Sequence, residues 1–245
     1  MKQRLDQLLV ARELCESREK AQRAIMAGEV TVNERVVDKP GTKIADDAVV
    51  AVKAQPRYVG RGGFKLEAAL AAFAIDPNGR TCLDIGASTG GFTDCLLQHG
   101  AAKVWAIDVG HSQLDWKIRN DPRVVVREKL NARHLTREDI PDAIDLCVID
   151  VSFISLTLIL PPACELLSPS GVIIALIKPQ FELRPEDVAK GGVVRDPALH
   201  VRAVEKIRAF AGTLPGMEWR GVIESPILGA EGNKEFLACL SAASA

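Results

Sequence analysis

The sequence predicts an α/β protein built on a doubly wound, mainly parallel sheet, preceded by a small α+β module. After residue 63, apolar runs rich in β-branched residues alternate with amphipathic stretches, which is typical of the strands and helices of a parallel sheet. Before residue 53, two helical stretches precede a segment of alternating apolar residues, which is typical of a separate α+β unit. A chain of 245 residues can hold both parts.

The small module is predicted to span residues 1–52. Helical periodicity runs from Arg4 to Leu14, and Ser17 can cap a second helix that ends at Gly28. The next stretch, EVTVNERVV, alternates in strand fashion around Asn33-Glu34 and predicts a hairpin. Residues 53–63, KAQPRYVGRGG, have the proline, glycines and cations of a linker.

The larger module, residues 64–245, contains seven predicted strands: Thr81–Ile85, Val104–Asp108, Val124–Val126, Ile144–Asp150, Val172–Lys178, Trp219–Ser225 and Phe236–Leu240. Helical stretches lie between most of them, including Phe64–Phe73, Gly91–His99 and Pro197–Ala211. Open sheets of this kind bind ligands at the carboxyl ends of their strands. The polar residues at those ends are therefore the candidate site residues.

The bulk composition, 47% hydrophobic and 26% charged, is typical of a soluble globular protein. No apolar stretch is long enough to cross a bilayer, and the polar N-terminus lacks a signal core, so a cytoplasmic protein is expected. Six cysteines lie far apart without a C-x-x-C pair, and only four histidines are present. We therefore predict no metal site.

The segment CLDIGASTGGFTD follows the first strand of the larger module and indicates a ligand-binding turn. Its spacing, D-x-G-x-x-x-G-G, differs from the dinucleotide motif and suits S-adenosylmethionine, which has no phosphate. The predicted cofactor-binding residues are Asp84, Gly86, Ala87, Ser88, Thr89, Gly90, Gly91, Phe92, Asp108, Val109, Asn131 and Asp150. Asp108 ends the second strand, where an acid can bind ribose hydroxyls.

Three alternatives stay open for these residues. The glycines can simply form a sharp turn between a strand and a helix. Asp108 by itself can be a helix-capping residue, and Asn131 can be an ordinary turn residue.

Four charged residues are candidates for the site, and two of them close apolar strands, where burial makes ions costly. Asp150 and Lys178 each close an apolar strand, Lys65 lies in the helix before the first strand, and Glu235 lies beside the last strand. Because the strand ends converge on one crevice, the four side chains are expected to meet there. The alternative is a structural network of ion pairs at the sheet edge.

At this point the chain resembles a known family. Lys65, Asp150, Lys178 and Glu235 match the K-D-K-E catalytic tetrad of FtsJ-type RNA 2′-O-methyltransferases. The phrases VGRGGFKL, DIGASTGGFTD, VIDVSFISL, IKPQFE, KGGVVRDP and EGNKEFL resemble the TlyA (haemolysin A) branch. The N-terminal module is similar to an S4 RNA-binding domain, with RLDQLL, SREKAQRAI and GEVTVNERVVDKPG. Gly60 and Glu34 depart from the pattern, since Ser and Gly are more common there.

The resemblance implies a seven-stranded Rossmann-like methyltransferase sheet that uses S-adenosylmethionine. The implied reaction is 2′-O-methylation of a cytidine ribose in ribosomal RNA. Because the chain has little N-terminal extension and stops soon after the last strand, we favour 23S rRNA in the 50S subunit over 16S rRNA in the 30S subunit. Oligomeric state is left open.

A ribose hydroxyl is a weak nucleophile until it loses its proton. Lys178 can assist as a general base or as an ammonium that stabilises the forming alkoxide. We expect Asp150 to orient Lys178, and Lys65 and Glu235 to position the ribose and the network. The rival functions are methylation of a small molecule or protein, a membrane-active haemolysin, and a ribosome-binding factor without catalysis.

Cations of the small module and linker are the predicted RNA contacts. They are Arg4, Arg12, Arg18, Lys20, Arg23, Lys39, Lys43, Arg57 and Arg61. Residues 1–63 hold 12 Lys and Arg against 9 Asp and Glu, an excess too mild to establish RNA binding. From charge alone a solvated helix surface is an equal alternative, and the S4 resemblance favours the RNA face.

Overall fold

The structure is a computed structural model that describes residues 2–53 and 56–243. The chain folds into two compact units, and the division between them falls between Arg57 and Tyr58. Ala54 and Gln55 of the predicted linker lie outside the described residues, as do position 1 and positions 244–245 of the two predicted modules. The domain limits 1–52, 53–63 and 64–245 remain a proposal.

The small unit combines two helices with short strands. They are β1 (Lys2–Arg4), α1 (Leu5–Ala11), α2 (Arg18–Met26), β2 (Val30–Val32), β3 (Arg35–Val36), β4 (Lys43–Ala45) and β5 (Val50–Val52). Ser17 caps α2 by accepting a hydrogen bond from the Lys20 N–H, and Gly28 follows the helix with a φ of 71°. Ser17 at the start of α2 and Gly28 after its end therefore have the positions that the sequence predicted.

Two small sheets complete the unit. Strand β1 pairs antiparallel with β4, and β2 pairs with both β3 and β5. The hairpin forms at Asn33-Glu34 as predicted, whereas β1, β4 and β5 carry no clear alternation in the sequence. The first helix ends at Ala11 rather than Leu14, because Glu13 adopts a left-handed backbone with a φ of 58°.

The large unit alternates strands and helices. Its elements are α3 (Gly62–Ala72), β6 (Thr81–Ile85), α4 (Gly91–Gln98), β7 (Lys103–Asp108), α5 (Trp116–Arg119), β8 (Val124–Glu128), β9 (Ile144–Ile149), α6 (Leu160–Glu165), β10 (Leu167–Ile177), α7 (Pro179–Glu182), α8 (Pro197–Ala211), β11 (Met217–Glu224) and β12 (Phe236–Ala242). Strand β10 begins earlier than predicted, because its pairing with β9 continues past an irregularity between Leu167 and Val172.

These strands form one seven-stranded sheet in the order β11-β12-β10-β9-β6-β7-β8. Five neighbouring strands, β10 to β8, run parallel, and β12 is antiparallel to both of its neighbours. The predicted mainly parallel, doubly wound sheet is therefore confirmed.

Apolar side chains cover both faces of this sheet. Leu83 and Ile85 of β6 belong to one buried cluster, whereas Cys82 belongs to the cluster on the opposite face. Because side chains alternate along a strand, Asp84 shares the face of Cys82, where α4 packs. Burial on both faces explains why the strands read as continuous apolar runs.

Candidate active site

The candidate site lies at the edge where the parallel strands end. Gly86 follows β6, Asp150 follows β9 and Lys178 follows β10. Strand β12 starts at this same edge, because it runs antiparallel to β10 and its first residue, Phe236, pairs with Ile177. Glu235, the residue just before β12, and Lys178, the residue just after β10, are thereby brought to neighbouring positions.

The loop between β6 and α4 comes close to neighbouring backbone. Gly86 has a φ of 86°, and a Cβ atom there would lie 2.4 Å from the carbonyl oxygen of Asp150. Gly90, with a φ of 96°, caps α4, and Ser88 also has a left-handed backbone with a φ of 48°. These residues make a sharp turn in which the Gly86 backbone lies directly against the backbone of Asp150.

Asp108 supports this loop from the end of β7. Its Oδ2 accepts the Ser88 N–H at 2.8 Å, and its Oδ1 accepts the Gly110 N–H at 2.7 Å. Each carboxylate oxygen can accept a second hydrogen bond, and Asp108 lines the adjoining cleft. Its side chain therefore organises two loops and keeps acceptor capacity for a ligand.

Asp84 lies behind the loop and has no exposed surface. Its Oδ2 accepts a hydrogen bond from the Thr93 hydroxyl at 2.6 Å, and its Oδ1 has no hydrogen-bond partner among the described residues. Burial is the main cause that raises the pKa of this carboxyl to about 7, the nearby Asp150 charge contributes in the same direction, and the hydrogen bond from Thr93 opposes them. Direct contact of Asp84 with a cofactor stays a prediction.

A cleft runs along the strand ends and has two adjoining parts. One part is lined by Asp108, Val109, Asn131 and apolar residues including Ile159. The other is lined by Gly62, Thr89, Phe92 and Lys178. Both parts are lined by Gly86, Ser88, Asp150 and Ser152, so the cleft connects the acid after β7 with the lysine after β10.

The remaining predicted cofactor-binding residues occupy distinct places around the cleft. Asn131 accepts the Arg133 N–H at 3.1 Å and caps a short turn, so the turn function considered for it is present. Val109 is exposed, and Phe92 is buried in α4 with its ring against Gly62. Ala87 is a buried residue of the loop, and Gly91 approaches the Gly60 backbone.

The four charged residues form two ion pairs. Lys178 Nζ lies 2.6 Å from Asp150 Oδ1 and donates a hydrogen bond to Ser152 Oγ at 3.0 Å. Lys65 Nζ donates to Glu235 Oε2 at 2.5 Å, and the Glu235 side chain is only 2% exposed. The Lys178–Asp150 pair faces the cleft, whereas the Lys65–Glu235 pair lies deeper.

In the small unit, several predicted RNA-binding cations have partners within the unit. Arg4 and Arg18 both bind Asp6, which has no exposed surface, at 3.0 and 2.9 Å. Arg12 donates to the carbonyl oxygen of Ala48 at 2.8 Å, and Lys20 pairs with Glu16.

Other predicted RNA contacts lie at the surface of their own units. Arg23, Lys39 and Lys43 are exposed in the small unit. In the large unit, the exposed Arg61 donates to the carbonyl oxygen of Leu228 at 2.8 Å. Arg57, at the end of the small unit, is also exposed.

Sequence reasoning missed three residues around the site. Ser152 contacts Lys178, and Phe153 is 90% exposed in the cleft wall with its ring 5.1 Å from Phe181. Their position directly after Asp150 was the available signal. Glu182 is buried and binds the Ser155 hydroxyl at 2.6 Å, which anchors the loop after Asp150.

The strand order, the loop after β6, the acid after β7 and the cleft at the carboxyl edge together define a Rossmann-like methyltransferase. The sequence model of the FtsJ-like methyltransferase family matches residues 58–242, and that of the S4 domain matches residues 3–50. The chain therefore belongs to the FtsJ-like methyltransferase family and carries an N-terminal S4 domain.

Proteins of similar sequence align with most of this chain. YqxC of Bacillus subtilis, named as an rRNA methyltransferase, is 51% identical over 96% of this chain and 84% of its own length. The 16S/23S rRNA (cytidine-2′-O)-methyltransferase TlyA of Mycobacterium tuberculosis is 47% identical over 95% of this chain and 87% of its own. A solved structure described as a hemolysin from Streptococcus thermophilus is 44% identical, with a TM-score of 0.74 over 100% of this chain and 90% of that one.

The hemolysin name raises the question of membrane activity. Across residues 2–53 and 56–243, every helix is too short or too polar to cross a bilayer.

Proposed function

We propose that this protein transfers a methyl group from S-adenosylmethionine to the 2′-hydroxyl of a cytidine ribose in ribosomal RNA. The observation that carries the proposal is the cleft in which the Lys178–Asp150 pair adjoins a cavity lined by Asp108. Membership of the FtsJ-like family and the names of the rRNA-modifying relatives support the same reaction.

The residues of the cleft fit S-adenosylmethionine. Asp108 keeps acceptor capacity for ribose hydroxyls, and Gly86, which lines the cleft, lets the loop backbone lie against the Asp150 carbonyl oxygen, where a Cβ atom would clash. Apolar side chains including Ile107, Leu130 and Ile159 line the same part of the cleft and suit an adenine ring. When bound, this cofactor supplies a methyl group on a positively charged sulfur, which is already a strong electrophile.

The protein residues then have to prepare the acceptor oxygen. We assign Lys178 to the 2′-hydroxyl, because Lys178 lines the cleft. Asp150 and Ser152 hold the Lys178 Nζ at 2.6 and 3.0 Å, which restricts its position. The 2′-oxygen forms a bond to the methyl carbon as the bond from that carbon to sulfur breaks and the sulfur becomes a neutral thioether. The hydroxyl proton either passes to a neutral Lys178 or passes to solvent while a charged Lys178 stabilises the negative charge that develops on the oxygen.

The Lys65–Glu235 pair supports the acceptor side. Lys65 lies about one helical turn after Gly62 in α3. Gly62 lines the same part of the cleft as Lys178. A buried ammonium paired with a buried carboxylate keeps both side chains in one arrangement, since separating them would leave an unpaired buried charge. We assign this pair to positioning the ribose.

Methyl transfer from labelled S-adenosylmethionine to unmethylated ribosomal subunits tests the proposal. The wild-type protein is expected to label ribosomal RNA, and mapping should place the methyl on a cytidine ribose. Separate 50S and 30S substrates test the preference for 23S rRNA, which stays a prediction. Labelling of a protein or base instead of a ribose would contradict the proposal.

Substitutions of Lys178 test its assignment. Lys178→Ala should reduce methylation by at least about 1,000-fold while cofactor binding is retained, because the acceptor oxygen loses its only assigned activating group. Lys178→Arg separates the two functions, since a guanidinium keeps the charge but does not accept a proton at neutral pH. Full activity of Lys178→Ala would rule out the assignment.

A further inference from the structure

The segment from Ser225 to Glu235 folds closely around the Glu235 carboxylate. A Cβ atom on Gly229 would lie 2.0 Å from Glu235 Oε1, so Gly229 leaves room for the carboxylate. The Glu235 carbonyl oxygen accepts the Ser225 N–H at 2.9 Å. The position of Glu235 relative to Lys65 therefore depends on the shape of this turn.

Asn233 closes the turn and also ties it to another segment. Its backbone oxygen accepts the Gly229 N–H at 2.8 Å. Its side chain accepts the Val194 N–H at 2.9 Å through Oδ1 and donates to the Gly192 carbonyl oxygen at 2.9 Å through Nδ2. Only 2% of Asn233 is exposed, so these bonds replace the water that its amide loses on burial.

The segment bound by Asn233 is itself well anchored. The carbonyl oxygen of Val194 accepts a hydrogen bond from His200 Nε2 at 2.9 Å, and both residues are buried. His200 belongs to α8, so the connection passes from a long helix through Val194 to Asn233. The KGGVVRDP and EGNKEFL phrases of the sequence thus meet at one buried asparagine.

From these contacts we infer that Asn233 is a positioning residue for methyl transfer. It holds the 229–233 turn against segment 192–194, and the turn holds the Glu235 carboxylate in its pair with Lys65. A buried amide with both side-chain groups bonded has one favoured orientation, whereas an apolar residue would allow the turn to shift. This inference rests on the proposed function, because it acts through Glu235.

A double-mutant cycle of the full-length protein tests the inference, with kcat for methyl transfer to unmethylated ribosomal subunits as the readout. Asn233→Ala should lower kcat on the order of 100-fold, because small displacements of a supporting group are costly. The KM for the subunits and the Kd for S-adenosylmethionine should stay near wild type. Combined with Glu235→Gln, the substitution should slow the reaction no further than Glu235→Gln alone.

Two more variants complete the design. Gly229→Ala places a methyl group against Glu235 and should reproduce the loss of kcat, which keeps the test available if Asn233→Ala does not fold. Asn120→Ala is the matched control, since that exposed asparagine also donates to a backbone carbonyl, of Trp116 at 2.7 Å. It should retain wild-type kcat.

The outcomes separate this inference from the proposed function. Wild-type kcat in both Asn233→Ala and Gly229→Ala, with a slow Glu235→Gln, would overturn the inference alone. If the fold-losses of kcat caused by Asn233→Ala and Glu235→Gln multiplied in the double variant, the two residues would act independently. That result would indicate a general structural effect of Asn233→Ala and would also overturn the inference. Full activity of Glu235→Gln would remove the assigned function of Glu235 and, with it, this inference.

Discussion

Asp6 illustrates how a single buried residue can organise a surface. Its carboxylate is fully buried and binds Arg4, Arg18 and Gln22 at 2.9–3.0 Å. The Arg4 and Arg18 side chains are 41% and 54% exposed, so part of each side chain remains accessible to a ligand. The hydrogen bond from Arg4 contributes most to holding the pKa of Asp6 well below its usual range.

We predict that Asp6→Asn weakens binding to unmethylated ribosomal subunits, although it removes a negative charge. The neutral amide binds the two guanidinium groups less strongly, so the arginines lose their fixed positions. Binding measured at two salt concentrations checks this. Glu19→Gln, which removes an exposed acid from α2, is the control and should strengthen binding slightly.

The same substitution should lower the stability of the small unit by about 1–3 kcal/mol at pH 7, since hydrogen bonds to a charged group are lost. Because the folded-state pKa of Asp6 is depressed, its contribution is present above about pH 4, the pKa of the unfolded chain, and declines as the pH falls further. Hydrogen exchange of small-unit amides should therefore show acid destabilisation in the wild type and less of it in Asp6→Asn.

The contribution of Asp84 to stability depends on pH in the opposite direction to that of Asp6. Its folded-state pKa of about 7 exceeds the ordinary value of 3.8, so the folded protein binds a proton more tightly than the unfolded chain. Without cofactor, the free energy of unfolding should fall by up to about 4 kcal/mol between pH 4 and pH 7 on account of this group. Denaturation of Asp84→Asn should lack this fall, and an unchanged pH profile would contradict the prediction.

At the scale of elements, the β2–β3 hairpin shows how a turn can form at a local conformational cost. Both turn residues have left-handed backbones, with a φ of 47° at Asn33 and 67° at Glu34. Asparagine adopts this conformation readily, and its Oδ1 accepts the Val49 N–H at 3.0 Å. Glutamate has no such advantage, so the alternating strands impose the turn on it.

Glu34→Gly should stabilise the hairpin by about 0.5–1 kcal/mol, because glycine adopts a positive φ without the steric cost of a side chain. Slower hydrogen exchange at the β2 and β3 amides is the expected result. Glu34→Ala separates backbone strain from charge, since it removes the carboxylate and keeps the strain. Equal gains in hairpin stability from Glu34→Gly and Glu34→Ala would show that relief of backbone strain is not the cause of the stabilisation.

At the scale of the whole molecule, the chain contains two units with separate cores. Leu5, Leu9 and Ile25 belong to the core of the small unit, and two further clusters cover the faces of the large sheet. All residues lining the proposed cofactor cleft belong to the large unit. Cofactor binding is therefore expected to be a property of that unit alone.

A truncated protein comprising residues 58–245 should bind S-adenosylmethionine with near wild-type affinity and lose most of its rRNA methylation. The first result follows from the composition of the cleft, and the second from the assignment of the S4 domain to RNA binding. Calorimetry and the labelling assay check the two parts. Undiminished methylation by the truncated protein would contradict the assignment of the S4 domain.

Much of the molecule could be predicted from the sequence because its signals are local. Apolar runs closed by Asp150 and Lys178 marked two strand ends, and the glycines after Asp84 marked the loop. The short strands β1, β4 and β5 escaped prediction, since two or three residues carry too little periodicity to indicate a strand. The buried state of Asp6 and Asp84 also depends on packing by other elements.

The sequence by itself determined the seven strands of the large unit and their order along the chain, the glycine loop and the identities of the charged residues at or near the strand ends. Only the tertiary structure decided which of those charges pair: Lys65 binds Glu235, 170 positions further along the chain, and Lys178 binds Asp150. The physical reason is the sheet order. It places β12 antiparallel beside β10, and no local pattern encodes that contact.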